Sequence, residues 1–411
     1  MTLKQIRTTI IVIALVTLSG FIGYNLGQKQ LSVQIENLKP TVTINREVPV
    51  GKENVDFALF WETWDRLKAS YLNKSALDER KMVYGAISGM VASLGDPYTV
   101  FLPPQEQKQS REELSGAFEG VGIQLGYKDS RLAVVAPLSG TPADKAGVKA
   151  GDLIYKIKDE VKNIDKETTG MTLPEAVTII RGPKGSPVTL TLAREGEKEP
   201  LEVRLIRGTI FVKSVEVSFK DGVADLKLSR FGERTFQEWE EAVNQIVEKK
   251  AKGEVKSLVL DLRNNPGGFL QGAVFVASEF LPDGEVVKQE NSRNGGTQTS
   301  SVDRKGRLTD IPLVVLINQG SASASEIVAG ALQERGRAKL VGEKSFGKGT
   351  VQEAEDLPGG SGLHITIARW LLPSGKSIDK DGITPDVEVK MDESDQMKDP
   401  QFEKAIELLV K

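Results

Sequence analysis

The spacing of apolar residues changes along this chain, and each change marks a different element. Lys4 and Arg7 precede an apolar stretch from Ile10 to Leu26, broken only by Thr17, Ser19, Gly20, Gly23, Tyr24 and Asn25. At about 1.5 Å per residue such a helix reaches roughly 26 Å, enough for a bilayer core. The basic flank favours a cytoplasmic start with the remainder of the protein sent across. A cleaved signal peptide is the rival reading, but Gly20-Phe21-Ile22 and Asn25-Leu26-Gly27 make poor processing sites. The expectation is therefore a cytoplasmic stub and uncleaved signal anchor over residues 1–27. Residues 28–54 turn polar, with Pro40 and Pro49, and read as a tether. Phe57, Phe60, Trp61, Trp64, Leu67 and Tyr71 then recur at helical spacing, as do Met82, Val83, Ala86, Ile87, Met90, Val91 and Leu94. Gly95 and Pro97 end the second helix, within a helical region placed at 55–112. The aromatic stripe is the kind that packs into a core, or against a second subunit.

Between 113 and 208 the period shortens to that of strands. GVGIQLGY, LAVVAPL, DLIYKIKD, PVTLTLAR and LEVRLIR alternate or are β-branched, separated by Gly/Pro turns, with helical pieces at Pro142–Ala146 and Leu173–Ile180. A larger α/β unit follows over 209–392. Phe236–Lys249 reads as a helix, Ser257–Leu262 as an apolar strand, Gly272–Phe280 as a helix, Pro312–Ile317 as a second apolar strand and Glu326–Arg335 as a helix. Apolar strands each followed by a helix predict parallel pairing through crossovers. Residues 393–411 end in a short amphipathic helix from Gln401.

Composition narrows the chemistry. A length of 411 residues exceeds one core, and a net charge of −3 supplies no electrostatic reason to bind nucleic acid. There is no cysteine, which suits an extracytoplasmic protein, and one histidine, His364. A Cys-His pair is impossible, a Ser-His-Asp triad would have to use that single imidazole, and zinc sites of the His/Cys type lack ligands. His364 lies in the alternating strand LHITIARW and reads as structural. No metal or organic cofactor is implied.

Chemistry concentrates in two turns that follow the apolar strands, Asn264-Asn265-Pro266-Gly267-Gly268 and Gly320-Ser321-Ala322-Ser323-Ala324. Small residues there leave backbone N–H groups uncovered beside helix N-termini, where developing negative charge settles. Ala324, with Gly267 or Gly268, is the expected pair of oxyanion donors. Ser323 is the candidate nucleophile, although Ser321 and Ser325 compete, and Ser323-Ala324-Ser325-Glu326 also has the form of a capping box. Lys348 is the candidate base, provided burial lowers its pKa from about 10.4. Gly347 and Gly349 permit a crowded setting, and a strand over Lys348–Gln352 would put Lys348, Thr350 and Gln352 on one face. The Gln352 carbonyl could then hold the amine without the charge that would raise its pKa. Two local patterns compete. Gly342-x4-Gly347-Lys348 is a near match to a phosphate loop with Gly349 where Ser or Thr belongs, and Ser345-Phe346-Gly347-Lys348 fits S-x-x-K, as does Ser377-Ile378-Asp379-Lys380.

Several long motifs stand in order: Gly95-Asp96-Pro97-Tyr98-Thr99, Asp261 to Gly268, Gly320 to Glu326 and Gly342 to Gln352. With them the sequence resembles, from Thr41 onward, the carboxy-terminal processing (tail-specific) serine proteases. The resemblance implies a mixed α/β fold: a ClpP/crotonase-like serine protease core with an inserted β-rich PDZ domain and an N-terminal helical region. It implies Ser323 as nucleophile, Lys348 as base and Gln352 as third member. The PDZ domain would bind exposed C-termini of protein or peptide substrates on a loop of Gly120, Val121, Gly122 and Ile123, with peptide pairing to the next strand. Arg181 sits where it could couple occupancy to cleavage. The expectation is an endopeptidase on the extracytoplasmic side of the membrane, a dimer by resemblance. The alternatives are a catalytically lapsed PDZ scaffold and a regulator that acts only with a partner docked on the helical region.

Overall fold

The two apolar strands lie side by side at the centre of one sheet, so the turns that follow them are neighbours. The computed structural model describes residues 31–36, 39–44, 56–291, 295–391 and 398–410. The apolar stretch at 10–26 lies outside the described residues. Among the described residues no helix is long and apolar enough to cross a membrane. The protein divides into two units after Met82. In the first, Leu31–Glu36 pairs antiparallel with Lys39–Ile44, inside the stretch that polarity suggested as a tether. Ala58–Ser70 forms the expected helix, yet none of its residues is buried; Leu59 and Tyr71, at and just beyond its ends, are exposed. Glu79–Ala92 is the second helix.

The second unit holds four sheets among the described residues. In its larger part a six-stranded sheet runs Val215–Lys220, Val223–Leu228, Ser257–Asp261, Leu313–Ile317, Lys339–Gly342, Val387–Glu388. The first pair is antiparallel and the rest parallel. Ser257–Asp261 and Leu313–Ile317 are buried throughout, as strands covered on both faces must be. Leu258 and Leu260 face helices Thr235–Ala251, Leu270–Phe280 and Ala324–Glu334, while Val259, Val314 and Leu316 face the terminal helix Pro400–Val410. A second sheet, ordered Thr297–Ser301, Glu285–Asn291, Gly362–Leu371, Thr350–Asp356, recruits the short strand Val100–Leu102 onto Gly362–Leu371. That pairing brings the segment after the second helix onto the core. The helix Pro104–Ser115 was not legible in the sequence, because PQEQKQSREELS has no apolar stripe and buries only Gln107.

The β-rich module is a six-stranded sheet, Leu201–Ile206, Pro187–Ala193, Leu153–Asp159, Arg131–Pro137, Ile123–Lys128, with Ile164–Glu167 added to Leu153–Asp159. Val188, Leu190 and Leu192 alternate inward. The helix Leu173–Ile180 starts on a complete capping box, Thr172 with Glu175, and buries Ala176, Ile179 and Ile180. Ile123–Lys128 stands at the sheet edge, next to that helix, as an added peptide strand requires. Beneath the helix, Arg207 and Asp159 form an ion pair at 2.5 Å with both side chains fully buried. All five guanidinium donors are used: Nε on Ile180 O, Nη1 on Ser186 Oγ and Pro187 O, Nη2 on Asp159 and Ile179 O. Arg207 thus closes the carboxyl end of the helix and the loop beyond it. Arg207→Met leaves the buried Asp159 with only the Lys162 amine, 3.7 Å away, as counter-charge, which costs up to about 3–5 kcal/mol. Urea titration followed by a probe in the β-rich module checks this; an unchanged midpoint would show the pair to be dispensable.

Candidate functional site

The two turns are stitched together by side chains. Asn318 Oδ1 accepts from Asn264 N–H (2.8 Å) and Gly320 N–H (3.0 Å), and its Nδ2 donates to Asn264 Oδ1 (2.9 Å). Ser321 Oγ donates to Leu262 O and Ser325 Oγ to Asn265 O, each at 2.9 Å, and both residues are fully buried. The three neighbouring serines therefore differ in their partners. The outer hydroxyls hold one turn to the other, whereas Ser323 is half-buried and its hydroxyl has no hydrogen bond among the described residues. Ser323 sits at φ +54° and ψ −115°, a backbone shape that costs a non-glycine residue about 1–3 kcal/mol. It projects the side chain from the helix entrance.

Ser323 and Glu326 form the capping box that their spacing suggests. Glu326 accepts the Ser323 N–H at 2.8 Å, and the Glu326 N–H also meets the Ser323 main-chain oxygen at 2.8 Å. The carboxylate does more than cap. Its Oε1 accepts from Ser345 Oγ (2.6 Å) and Gly347 N–H (2.7 Å), and its Oε2 from Ser323 N–H and Lys348 N–H (2.9 Å). One oxygen therefore holds the main chains of both Ser323 and Lys348. Glu326 is fully buried, and burial pushes its carboxyl above the usual range against the pull of these donors. Only the cap was legible in the sequence, since the other donors lie about twenty residues on.

Lys348 lies just before the strand, which begins at Thr350 rather than at the lysine. Trp370 Nε1 donates to its main-chain oxygen at 2.8 Å. Gly347, at φ +91°, lies so close to the 380–382 backbone that a Cβ there would sit 2.9 Å from Gly382 N. Gly349 is pressed as closely on Asp379, so the glycines do admit a crowded setting. The amine is half-buried, 5.0 Å from the Tyr98 ring centroid, and burial holds its pKa below that of free lysine although Asp96 and Glu326 pull the other way. Neither Ser323 Oγ nor Lys348 Nζ has a hydrogen-bond partner among the described residues. Gln352 donates through Nε2 to Thr350 Oγ1 (2.8 Å) and Thr366 Oγ1 (3.1 Å), leaving its carbonyl oxygen uncommitted.

Of the expected oxyanion donors, Gly267 is occupied: its N–H donates to Asn265 Oδ1 at 2.9 Å. The amides of Gly268 and Ala324 have no acceptor among the described residues. Gly267 matters by its smallness, for at φ +100° a Cβ would fall 2.8 Å from both Ala322 O and Ser323 Cβ. The competing local patterns fail on geometry. Gly347 and Lys348 amides are committed to Glu326, Phe346 N–H to Ser321 O, and Ser345 N–H to Ile383 O, so no phosphate cradle is open. Ser345 Oγ is buried between Glu326 and Ile383 N–H. His364 lies within the strand Gly362–Leu371, its pKa lowered by burial and then by Lys348.

In the β-rich module Gly120 ends the strand Ala117–Gly120 and Ile123 begins the edge strand. Between them, Val121 O and Gly122 O accept from Ala143 and Leu138, while the Val121 and Gly122 amides have no acceptor among the described residues. Arg181 follows the helix Leu173–Ile180, stacks 4.3 Å from the Phe118 ring centroid and bonds Glu112 at 3.2 Å. It reaches from the glycine loop to the helix Pro104–Ser115. Asp96, Tyr98, Thr99 and Thr366 had no role assigned from the sequence, yet the pairing of Val100–Leu102 with Gly362–Leu371 sets Thr99 on Thr366, Asp96 on Thr99 and the Tyr98 ring beside the lysine; the 95–99 motif signalled the first three.

Comparisons agree with this picture. Residues 222–389 match the model of peptidase family S41, residues 134–194 a PDZ domain, and residues 17–105 the N-terminal domain of the activating protease CtpB. A carboxy-terminal-processing protease of Bartonella bacilliformis is 39% identical over 88% of this protein and 80% of its own length. Carboxy-terminal processing protease CtpA of Bacillus subtilis is 38% identical over 80% and 68%. A solved Bacteroides fragilis protein described as a putative S41 protease shares the fold at 17% identity and TM-score 0.51, covering 79% of this protein and 89% of its own length. The protein is a serine-type peptidase with a PDZ domain, and it belongs to the carboxy-terminal processing protease family.

Proposed function

We propose that Ser323 attacks the scissile carbonyl while Lys348, as the free amine, takes its proton and later returns it to the leaving amine. The observation that carries this reading is the shared Glu326 oxygen, which holds the main chains of Ser323 and the half-buried Lys348 at one point. The tetrahedral oxyanion would lie against the amides of Ala324 and Gly268, not Gly267, whose N–H is held by Asn265. Gln352 would orient Lys348 through its carbonyl oxygen. A neutral amide fits there, because an anion would keep the lysine charged.

The substrate class follows from the PDZ module. Free amides at Val121 and Gly122, beside the edge strand from Ile123, suit the carboxylate at the exposed C-terminus of a substrate. Arg181 would report occupancy, since a carboxylate on that loop competes with Glu112 for its charge. The basic flank and apolar stretch at 10–26 support a single-pass anchor with the protease on the extracytoplasmic side. The exposed apolar side chains of Ala58–Ser70 support pairing with a second copy. The lapsed-scaffold reading is disfavoured, because Ser323 keeps a strained main chain and the half-buried Lys348 amine a pKa below that of free lysine.

Ser323→Ala and Lys348→Ala each lower kcat/KM on an unfolded protein by roughly 10³-fold or more, with the thermal midpoint nearly unchanged. Retained cleavage in either purified variant would count against the mechanism. The acid limb of the pH profile reports Lys348: activity rises as the amine deprotonates, at a pH below that of free lysine because burial disfavours the charged form. A limb at the ordinary lysine value would contradict a dry base. Arg181→Ala keeps C-terminal peptide binding but loses peptide-stimulated cleavage; unchanged stimulation would discard the coupling role.

A further inference from the structure

In the Ser323–Lys348–Gln352 reading the Gln352 amide would turn toward Lys348 in one of two ways, and only one serves a base. With Oε1 toward the amine, the amide accepts an N–H and leaves the nitrogen lone pair for Ser323. With Nε2 toward it, the amide donates into that lone pair and disables it. The choice is set by what the opposite end of the amide meets.

That end meets two threonines. Gln352 Nε2 lies 2.8 Å from Thr350 Oγ1 and 3.1 Å from Thr366 Oγ1. A hydroxyl can donate or accept, so these contacts alone do not fix the amide. Asp96 removes the freedom. Its carboxylate accepts the Tyr98 N–H at 3.0 Å and the Thr99 hydroxyl at 2.6 Å, and it is also hydrogen-bonded to the Thr366 side chain. An ionised carboxylate only accepts, so Thr366 gives its one proton to Asp96 and must accept from Gln352. Thr99 repeats the pattern, donating to Asp96 while accepting the Thr366 N–H at 3.0 Å. Every donor direction in this relay descends from Asp96.

We infer that Asp96 is a positioning residue for the peptidase reaction: acting through Thr366, it forces the Gln352 amide to turn its carbonyl, not its NH₂, toward Lys348. The inference rests on the Ser323–Lys348–Gln352 reading. It also gives the strand Val100–Leu102 a use, since that strand's pairing to Gly362–Leu371 delivers Asp96 to Thr366. Tyr98, from the same segment, covers the amine with its ring. Without Asp96, Thr366 is free to donate to the Gln352 oxygen, and the amide reverses.

The test compares Thr366→Val, Thr366→Ser and Asp96→Asn in the full-length protein, with Lys348→Ala alongside. Thr366→Val keeps the Asp96 charge but breaks the relay, so kcat falls by about tenfold to a hundredfold with KM little changed. Thr366→Ser restores the hydroxyl and recovers most of kcat. Asp96→Asn lowers kcat comparably and moves the acid limb to lower pH, because a carboxylate near the amine is lost. If Asp96→Asn does not fold, the Val/Ser pair decides alone. An inactive Lys348→Ala with wild-type kcat and pH profile in Thr366→Val overturns the inference. Cleavage by Lys348→Ala overturns instead the reading beneath it.

Discussion

A buried carboxylate is tolerable only when donors surround it, and Glu326 has four, drawn from the helix entrance and from the loop after the sheet. The helix entrance contributes Ser323 N–H, and the loop contributes Ser345, Gly347 and Lys348. Three of the four are backbone N–H groups with no other acceptor among the described residues, so removing the carboxylate would orphan them together. The interaction is therefore structural and chemical at once. It fixes the strained main chain of the serine and the crowded main chain of the lysine to one point, while the two side chains stay uncommitted.

The same strategy governs the turn below. Asn318, Ser321 and Ser325 use their side chains to hold strand-end loops in place, and Asn265 occupies the Gly267 amide. What remains open there among the described residues is small: the Ser323 hydroxyl, the Lys348 amine and the amides of Gly268 and Ala324. On the proposed mechanism these are the working groups, left unbonded while their neighbours are bonded to one another. The opposing pulls on Lys348 follow from it, since burial lowers its pKa while Asp96 and the very carboxylate that places it raise it.

The PDZ module solves a parallel problem with a cation. Arg207 engages five acceptors under the helix Leu173–Ile180, which fixes the residue that follows it, Arg181. Arg181 in turn spans the glycine loop and the helix Pro104–Ser115 through Phe118 and Glu112. A fully bonded, buried guanidinium thus supports a half-exposed one.

Periodicity and composition alone determined the two apolar strands, the helices after them, the β-rich module and the exclusion of cysteine or histidine-zinc chemistry, because those follow from which side of an element meets water. Ser323 and Lys348 were legible as candidates from local motifs, and their resemblance to a protease family named their roles. Tertiary structure decided which of three serines is free, which glycine amide is taken, what Glu326 does beyond capping, and that Tyr98 and Asp96 stand near the lysine while Thr366 meets Gln352. Those facts depend on hydrogen bonds between residues scores to hundreds of positions apart, set by strand pairing such as Val100–Leu102 on Gly362–Leu371. Local spacing carries no record of such partners, since a residue's place in the pattern reports its burial and not what it will meet there.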